Sequence, residues 1–325
     1  MDNRPSSPAS AARHGGEPSS GERHSILLTL FLATRPAFLS VTAVGVLLGI
    51  CCAYYDLGRI ALLPASLTLL FALVAHAGVN VVNDYFDSLN GTDAANTERV
   101  FPFTGGSRFI QNGLLTEGQT RRFGCSLLGA VVPAGVLLTI WSGSGLLPIG
   151  LAGLVLGWAY SAPPLMLNSR GLGELCVAGG FLCIVVGADY VQRKSFFVTP
   201  LAAGLPYSLM VTNVLFINQF PDRTADIAAG KLHWVARLAP GTASWGYLAI
   251  AGTSAWLLAT SVLVRGCLPA ASLVACVAFA LTGFAFWQLR RNADRPAQLT
   301  PAIKATIAAA LLHGVLLSGS LLLSG

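Results

Sequence analysis

The sequence predicts an all-α, multi-pass membrane protein: about nine transmembrane helices in one bundle around a central cavity. Three observations predict it. Mean hydropathy is +0.66, only 10% of the 325 residues are Asp, Glu, Lys or Arg, and charge-free apolar runs recur along the chain. About 20 apolar residues in a helix cross roughly 30 Å of hydrocarbon. The same composition excludes an ordinary water-soluble domain.

The first 25 residues are rich in Ser, Pro, Gly and Arg and lack an apolar segment. They are expected to form a disordered cytoplasmic tail and not a cleaved signal peptide, which leaves 26–325 as one transmembrane domain. Charge-free windows at 36–55 and 60–83 predict helices over 36–55 and 60–86. Window 123–169 is too long for one crossing, and the turn Trp141-Ser-Gly-Ser-Gly145 divides it into helices near 119–140 and 145–162. Between 171 and 192, Glu174 and Asp189 flank a charge-free centre, which gives a span near 172–191 with polar ends. Windows 195–221, 238–264, 266–289 and 305–325 supply spans near 199–221, 241–264, 268–288 and 303–323. The seven cysteines show no C-x-x-C or metal-ligand spacing and read as small core residues.

The formal charge of +6 is distributed as a membrane topology. With the N-terminus in the cytoplasm, sixteen of the 20 Lys and Arg fall on the cytoplasmic side, and only Arg59, Arg193, Lys194 and Arg265 fall on the other. That is the positive-inside bias. The lipid bilayer is the expected partner, and nucleic acid is not.

Five of the 14 acidic residues form two short clusters, Asp84/Asp87/Asp93 and Asp222/Asp226. Each follows an even-numbered span, so both emerge on the cytoplasmic face. The segments read Asn80-x-x-Asn83-Asp84-x-x-Asp87 and Asn218-x-x-x-Asp222-x-x-x-Asp226. Spacings of three and four put each set on one helical face. Lipid cannot satisfy such a stripe, so it must face a cavity or another helix. Carboxylates stacked this way repel and call for a positive partner. Two oxygen-rich clusters across a cavity suit a hard divalent cation such as Mg²⁺, which binds a few carboxylates and shares its other positions with phosphates. Asn80, Asn83 and Asn218 would add neutral oxygens or orient the carboxylates. Nearby, Gly105-Gly106 would bring backbone N–H groups to an anion, and Arg108, Arg170 and Lys231 are candidate phosphate contacts. His76, near the stripe, reads as a satisfied interior histidine and not as a ligand.

These residues resemble a known family. Asn83–Asp93 (NDYFDSLNGTD) and Asn218–Lys231 (NQFPDRTADIAAGK) are similar to the two aspartate-rich motifs of the UbiA-type intramembrane aromatic prenyltransferases. The likeness extends to TRPAFLSVTAVGVLLG from Thr34, GGSRFIQNGLL from Gly105 and YSAPPLMLNSRGLGE from Tyr160, covering about 35–240. The motif forms look nearest to the 1,4-dihydroxy-2-naphthoate prenyltransferase branch of menaquinone synthesis.

The resemblance implies catalytic roles for Asp84, Asp87, Asp222 and Asp226, which with Asp93 would hold Mg²⁺ against a polyprenyl diphosphate. It implies substrate binding by Asn80, Asn83, Arg108, Tyr160, Arg170, Asn218 and Lys231. The allylic C–O bond would ionise and an aromatic acceptor would attack the carbocation, with loss of CO₂ when the acceptor is the dihydroxynaphthoate. The expected location is a bacterial plasma (inner) membrane, with the site facing the cytoplasm. One departure is Met166, which stands after Pro-Pro-Leu where many relatives carry lysine, so a diphosphate contact is expected to be missing. Alternatives are another acceptor (4-hydroxybenzoate, a different phenol or an alcohol) and an ion-coupled transporter, whose acids would lie nearer the bilayer midplane.

Overall fold

Apolar runs in hydrocarbon fold as helices because every backbone N–H and C=O must be satisfied within the segment. The structure, a computed structural model, describes residues 16–18 and 25–325. The rest of the expected disordered tail, with Arg4, Arg13 and Arg23 of the charge count, lies outside the described residues.

A short helix α1 (Ile26–Ala33) begins at Ser25, whose side chain accepts from the Leu28 N–H. It is followed by α2 (Pro36–Leu57), α3 (Leu62–Leu89) and the single turn α4 (Thr92–Ala95). Helix α5 (Glu117–Ser142) opens with a capping box between Thr116 and Gln119. Then come α6 (Leu146–Ser161), α7 (Gly173–Arg193), α8 (Thr199–Ala228), α9 (Trp234–Arg237), α10 (Pro240–Leu263), α11 (Ala278–Asn292) and α12 (Thr300–Ser324). Among the described residues there is no strand. Eight helices among the described residues are long and apolar enough to cross a membrane, counting Ala270–Asn292 as one, and α6 is a shorter apolar helix beside them. The chain is an integral membrane protein.

Two spans differ from the sequence expectation. Helix α8 does not stop at 221 but runs through Pro221 to Ala228. A proline forfeits one helical hydrogen bond and crowds the preceding turn, a cost that a helix packed on all sides tolerates. The overrun carries Asp222 and Asp226 on α8 itself. The span expected near 268–288 begins as a 3-10 helix, Ala270–Val277, and becomes α-helical only at Ala278. There α12 supplies polar partners: His313 Nδ1 meets the Ala275 carbonyl at 3.3 Å, and Ser320 Oγ meets Ser272 Oγ at 3.0 Å.

Helix α8 is the most enclosed span, packed among α2, α7, α10 and α12. Its Tyr207 is fully buried and donates its hydroxyl to the Val41 carbonyl of α2 at 2.5 Å. At the end of the bundle away from the acid clusters, Arg193 Nη2 lies 2.6 Å from Asp56 and 3.0 Å from Asp189, and it also donates to the Cys52 carbonyl. Helices α2 and α7 approach closely at Gly49. A Cβ there would lie 2.7 Å from Ala188 Cβ and closer still to the Val185 carbonyl.

Gly49→Val is therefore expected to destabilise the fold by about 1–3 kcal/mol, the usual cost of overpacking. Thermal unfolding in detergent checks this. Gly118→Ala, at a position with nothing within 4 Å of an added Cβ, should not lower the transition.

Candidate active site

One face of α3 carries Thr68, Ala72, His76, Asn80, Asn83 and Asp87 at spacings of three and four, and all six line a cavity of about 450 Å³. From Thr68 to Asp87 the stripe climbs about 28 Å at 1.5 Å per residue, close to the thickness of the hydrocarbon core. Helices α2, α5, α6, α7 and α8 close the cavity with apolar side chains such as Phe38, Leu128, Leu154, Phe181 and Val214, and α3 adds Phe71. Its charged end is where α3 and α8 finish.

Lys231 holds that end together. Gly230, at φ +76°, lets the chain turn back after α8, and the Lys231 N–H then donates to the Asp226 carbonyl at 2.8 Å. The Lys231 ammonium lies 2.6 Å from Asp87 Oδ1 and 3.6 Å from Asp226 Oδ1. Burial alone would discharge it, but Asp87 and Asp226 outweigh that and hold its pKa above the ordinary lysine value. On the far side of Asp226 stands His233. Its Nδ1 accepts from the Ala236 N–H at 3.2 Å, so Nε2 carries the proton and donates to Asp226 Oδ2 at 3.0 Å.

The other carboxylates are laced by the loop between α4 and α5. Gly105 N–H donates to Asp222 Oδ2 at 3.4 Å, and Ser107 N–H donates to Asp84 Oδ2 at 3.1 Å. Asn96 Nδ2 donates to Asp222 Oδ1 at 2.5 Å, while Arg108 donates to the Asp93 main-chain carbonyl. Gly105 and Gly106 are both left-handed, and a Cβ on Gly106 would come within 2.5 Å of Asp93 Oδ2. Two backbone N–H groups of this glycine corner are thus spent on aspartates. Asp93 is pushed well above the usual carboxylate range, first by burial and then by the charges of Asp87 and Asp84.

Among the described residues, no three His, Cys, Asp or Glu side chains converge into a ready-made metal site. The donor chemistry nevertheless fits a hard divalent cation. Asp84 Oδ1, Asn96 Oδ1 and Asn218 Oδ1 are buried oxygens without hydrogen-bond partners among the described residues, and the carboxyl groups around them outnumber the cations. Oxygen donors beside surplus negative charge are what such a cation takes.

Of the residues singled out from sequence, the cavity brings together Asn80, Asn83, Asp87, Asp93, Tyr160, Asn218, Asp222, Asp226 and Lys231. Asp84 is buried behind the lining, on the Ser107 amide. Arg108 is also buried outside the lining. Arg170 is exposed, its Nη2 on the Pro164 carbonyl at 2.8 Å, and it reaches no carboxylate of the site. Met166, with φ +40°, does not line the cavity either. Sequence reasoning passed over Asn96 and His233. Asn96 belongs to no spaced pattern, and His233 joins Asp226 only through the Gly230 turn.

Fold and site together define a polytopic membrane protein in which an acid-rich, oxygen-donor mouth opens on an apolar cavity. The model of the UbiA prenyltransferase family matches residues 38–308, and the chain belongs to that family. It is 27% identical over 268 residues to the 1,4-dihydroxy-2-naphthoate octaprenyltransferase of Mycobacterium leprae, covering 80% of this chain and 85% of that one. It is 27% identical to the UbiA prenyltransferase domain-containing protein 1 of Dictyostelium discoideum and 28% identical to the 2-carboxy-1,4-naphthoquinone phytyltransferase of Synechocystis. Those two matches take in 65% and 63% of this chain and 64% of each relative, a little under two thirds of their length. The fold is similar to that of a UbiA homologue from Archaeoglobus fulgidus solved with DMAPP and Mg²⁺, with TM-score 0.63 at 15% identity over 89% of this chain and 99% of that one. It is equally similar to an apo UbiA homologue from Aeropyrum pernix, with TM-score 0.63 at 16% identity over 87% and 96%.

Lys231→Met should lower the thermal unfolding transition in detergent, by about 3 kcal/mol, because it leaves buried carboxylates without their counter-charge. Lys231→Arg should recover most of the loss. An unchanged transition in Lys231→Met would show that the ammonium carries no such role.

Proposed function

We propose that the protein is a Mg²⁺-dependent prenyltransferase that joins a polyprenyl group from polyprenyl diphosphate to an aromatic acceptor, 1,4-dihydroxy-2-naphthoate. The observation that carries the reading is the meeting of a carboxylate–lysine cluster with an apolar cavity lined by residues that span about 28 Å of α3. A diphosphate head needs the first, and an isoprenoid tail needs the second. The names of the Mycobacterium leprae and Synechocystis relatives support a naphthoate-type acceptor.

In this reading Asp87, Asp93, Asp222 and Asp226, with the free oxygens of Asp84, Asn96 and Asn218, would hold the metal. When bound, Mg²⁺ would offset the charge of the diphosphate. Lys231, already ionised between Asp87 and Asp226, faces the cavity and would bind oxygens of the leaving diphosphate. His233 keeps Asp226 oriented and lends no formal charge in its neutral form. The allylic C–O bond breaks with its electron pair leaving on the diphosphate. The ring carbon then forms the new C–C bond and loses CO₂, or a proton where it bears no carboxylate. Phe38, Phe71 and Phe181 line a wall that excludes water from the carbocation. The acids lie at helix ends and not at the bilayer centre, which disfavours ion-coupled transport. The positive-inside bias supports a cytoplasm-facing site, and the bacterial relatives support a plasma-membrane location.

The test uses purified protein in lipid with labelled polyprenyl diphosphates and a panel of naphthoates and phenols, with and without Mg²⁺. A prenylated naphthoate should form only with the metal, and Asp222→Asn or Asp87→Asn should cut the rate by about 10²–10³-fold, the scale of losing one electrostatic stabiliser. Absence of lipid product from every acceptor, by protein that stays folded, would refute the assignment.

A further inference from the structure

His76 was expected to be a satisfied interior histidine, but only half of it is satisfied. Its Nδ1 meets Thr42 Oγ1 of α2 at 2.7 Å, while Nε2 hydrogen-bonds no protein group among the described residues, and the residue lines the cavity. Phe181 packs against the ring edge-on, with centroids 5.7 Å apart. The imidazole is therefore held on two sides.

One helical turn nearer the charged mouth stands Asn80, whose Nδ2 donates to the Thr34 carbonyl at 3.0 Å. The next residue is Arg35, left-handed at φ +58°, so Asn80 fixes the distance between Arg35 and α3. Arg35 lines the cavity, donates from Nη2 to the Phe103 carbonyl at 3.2 Å and lies over the Phe38 ring. Its Nε is buried and hydrogen-bonds no partner among the described residues. A guanidinium with a spare donor and an imidazole with a spare nitrogen thus share the cavity between aromatic walls, with His76 about three helical turns before Asp87 on α3.

Resting on the prenyltransferase reading, we propose that His76 is the specificity-determining residue for the acceptor: its Nε2 hydrogen-bonds the ring hydroxyl of a planar hydroxyaromatic carboxylate whose carboxylate is turned towards Arg35. A hydroxyl both donates and accepts, so it satisfies Nε2 in either tautomer that Thr42 permits. A site built to bond a hydroxyl discriminates strongly against the analogue that lacks it, because its own polar group is otherwise left unpaired. Thr42 acts one step back, as a positioning residue.

The experiment measures equilibrium binding of two fluorescent probes, 1-hydroxy-2-naphthoate and 2-naphthoate, to the full chain in lipid nanodiscs. Wild type should prefer the hydroxylated probe by about tenfold, the equivalent of 1.4 kcal/mol. His76→Phe should erase the preference, His76→Gln should restore part of it, and Thr42→Val should weaken it. Arg35→Met should weaken both probes and keep their ratio. The donor KM should stay unchanged in His76→Phe. A wild type without the preference, a His76→Phe variant that keeps it, or equal loss of both probes and the donor in His76→Phe and His76→Gln alike would overturn the assignment. Binding does not require turnover. If the preference follows His76 while no acceptor is prenylated, the prenyltransferase reading falls and the hydroxyaromatic subsite stands.

Discussion

Everything at the charged end of the bundle depends on one ammonium placed between two carboxylates. Lys231 ties Asp87, at the end of α3, to Asp226, at the end of α8, across 139 positions of sequence. Each carboxylate alone would be costly to bury. The lysine supplies a counter-charge to both, and the three groups pin together the ends of α3 and α8, which also carry Asp84 and Asp222. The compensation is local, since Lys231 pairs with Asp87 and Asp226 and leaves Asp84 and Asp222 to the amides of Ser107 and Gly105.

The polarity of the cavity is graded by helix geometry and not by separate elements. A single stripe of α3 passes from Thr68 and Ala72 through His76 and Asn80 to Asp87. Side chains three and four apart stay on one face, so the chemistry met by a ligand changes with depth in steps of one turn. Burying a gradient of this kind is possible because α8, the most enclosed helix, stands opposite and supplies Val211 and Val214 low in the cavity and Asn218 and Asp222 near its mouth.

Much of the architecture was legible because hydropathy and charge act over whole spans. Eight crossings and the short α6 follow the charge-free windows, and the spacing of the aspartates already placed them on helical faces. What escaped were features set by tertiary packing. The overrun of α8 through Pro221 was hidden because proline and aspartate both argue for a helix end when neighbours are unknown. The 3-10 stretch Ala270–Val277 depends on partners from α12, more than 35 residues away. At the site, the acid clusters stood out by their spacing, whereas Asn96 and His233 become neighbours of Asp222 and Asp226 only after loops fold over the helix ends. Arg170 had the right charge in the right loop, but its guanidinium folds back on Pro164. Charge and loop position do not fix where a long side chain points.

The lacing of the aspartates by the loop at Gly105 and Ser107 has a thermodynamic side. Asp222 Oδ2 and Asp84 Oδ2, on two of the carboxylates that would receive an incoming cation, already accept hydrogen bonds from the chain. Where a ligand takes a lone pair that an amide now occupies, its apparent affinity is its intrinsic affinity reduced by the fraction of molecules in which the loop has let go. Substitutions that weaken the loop, remote from every liganding atom, would then tighten binding and not loosen it.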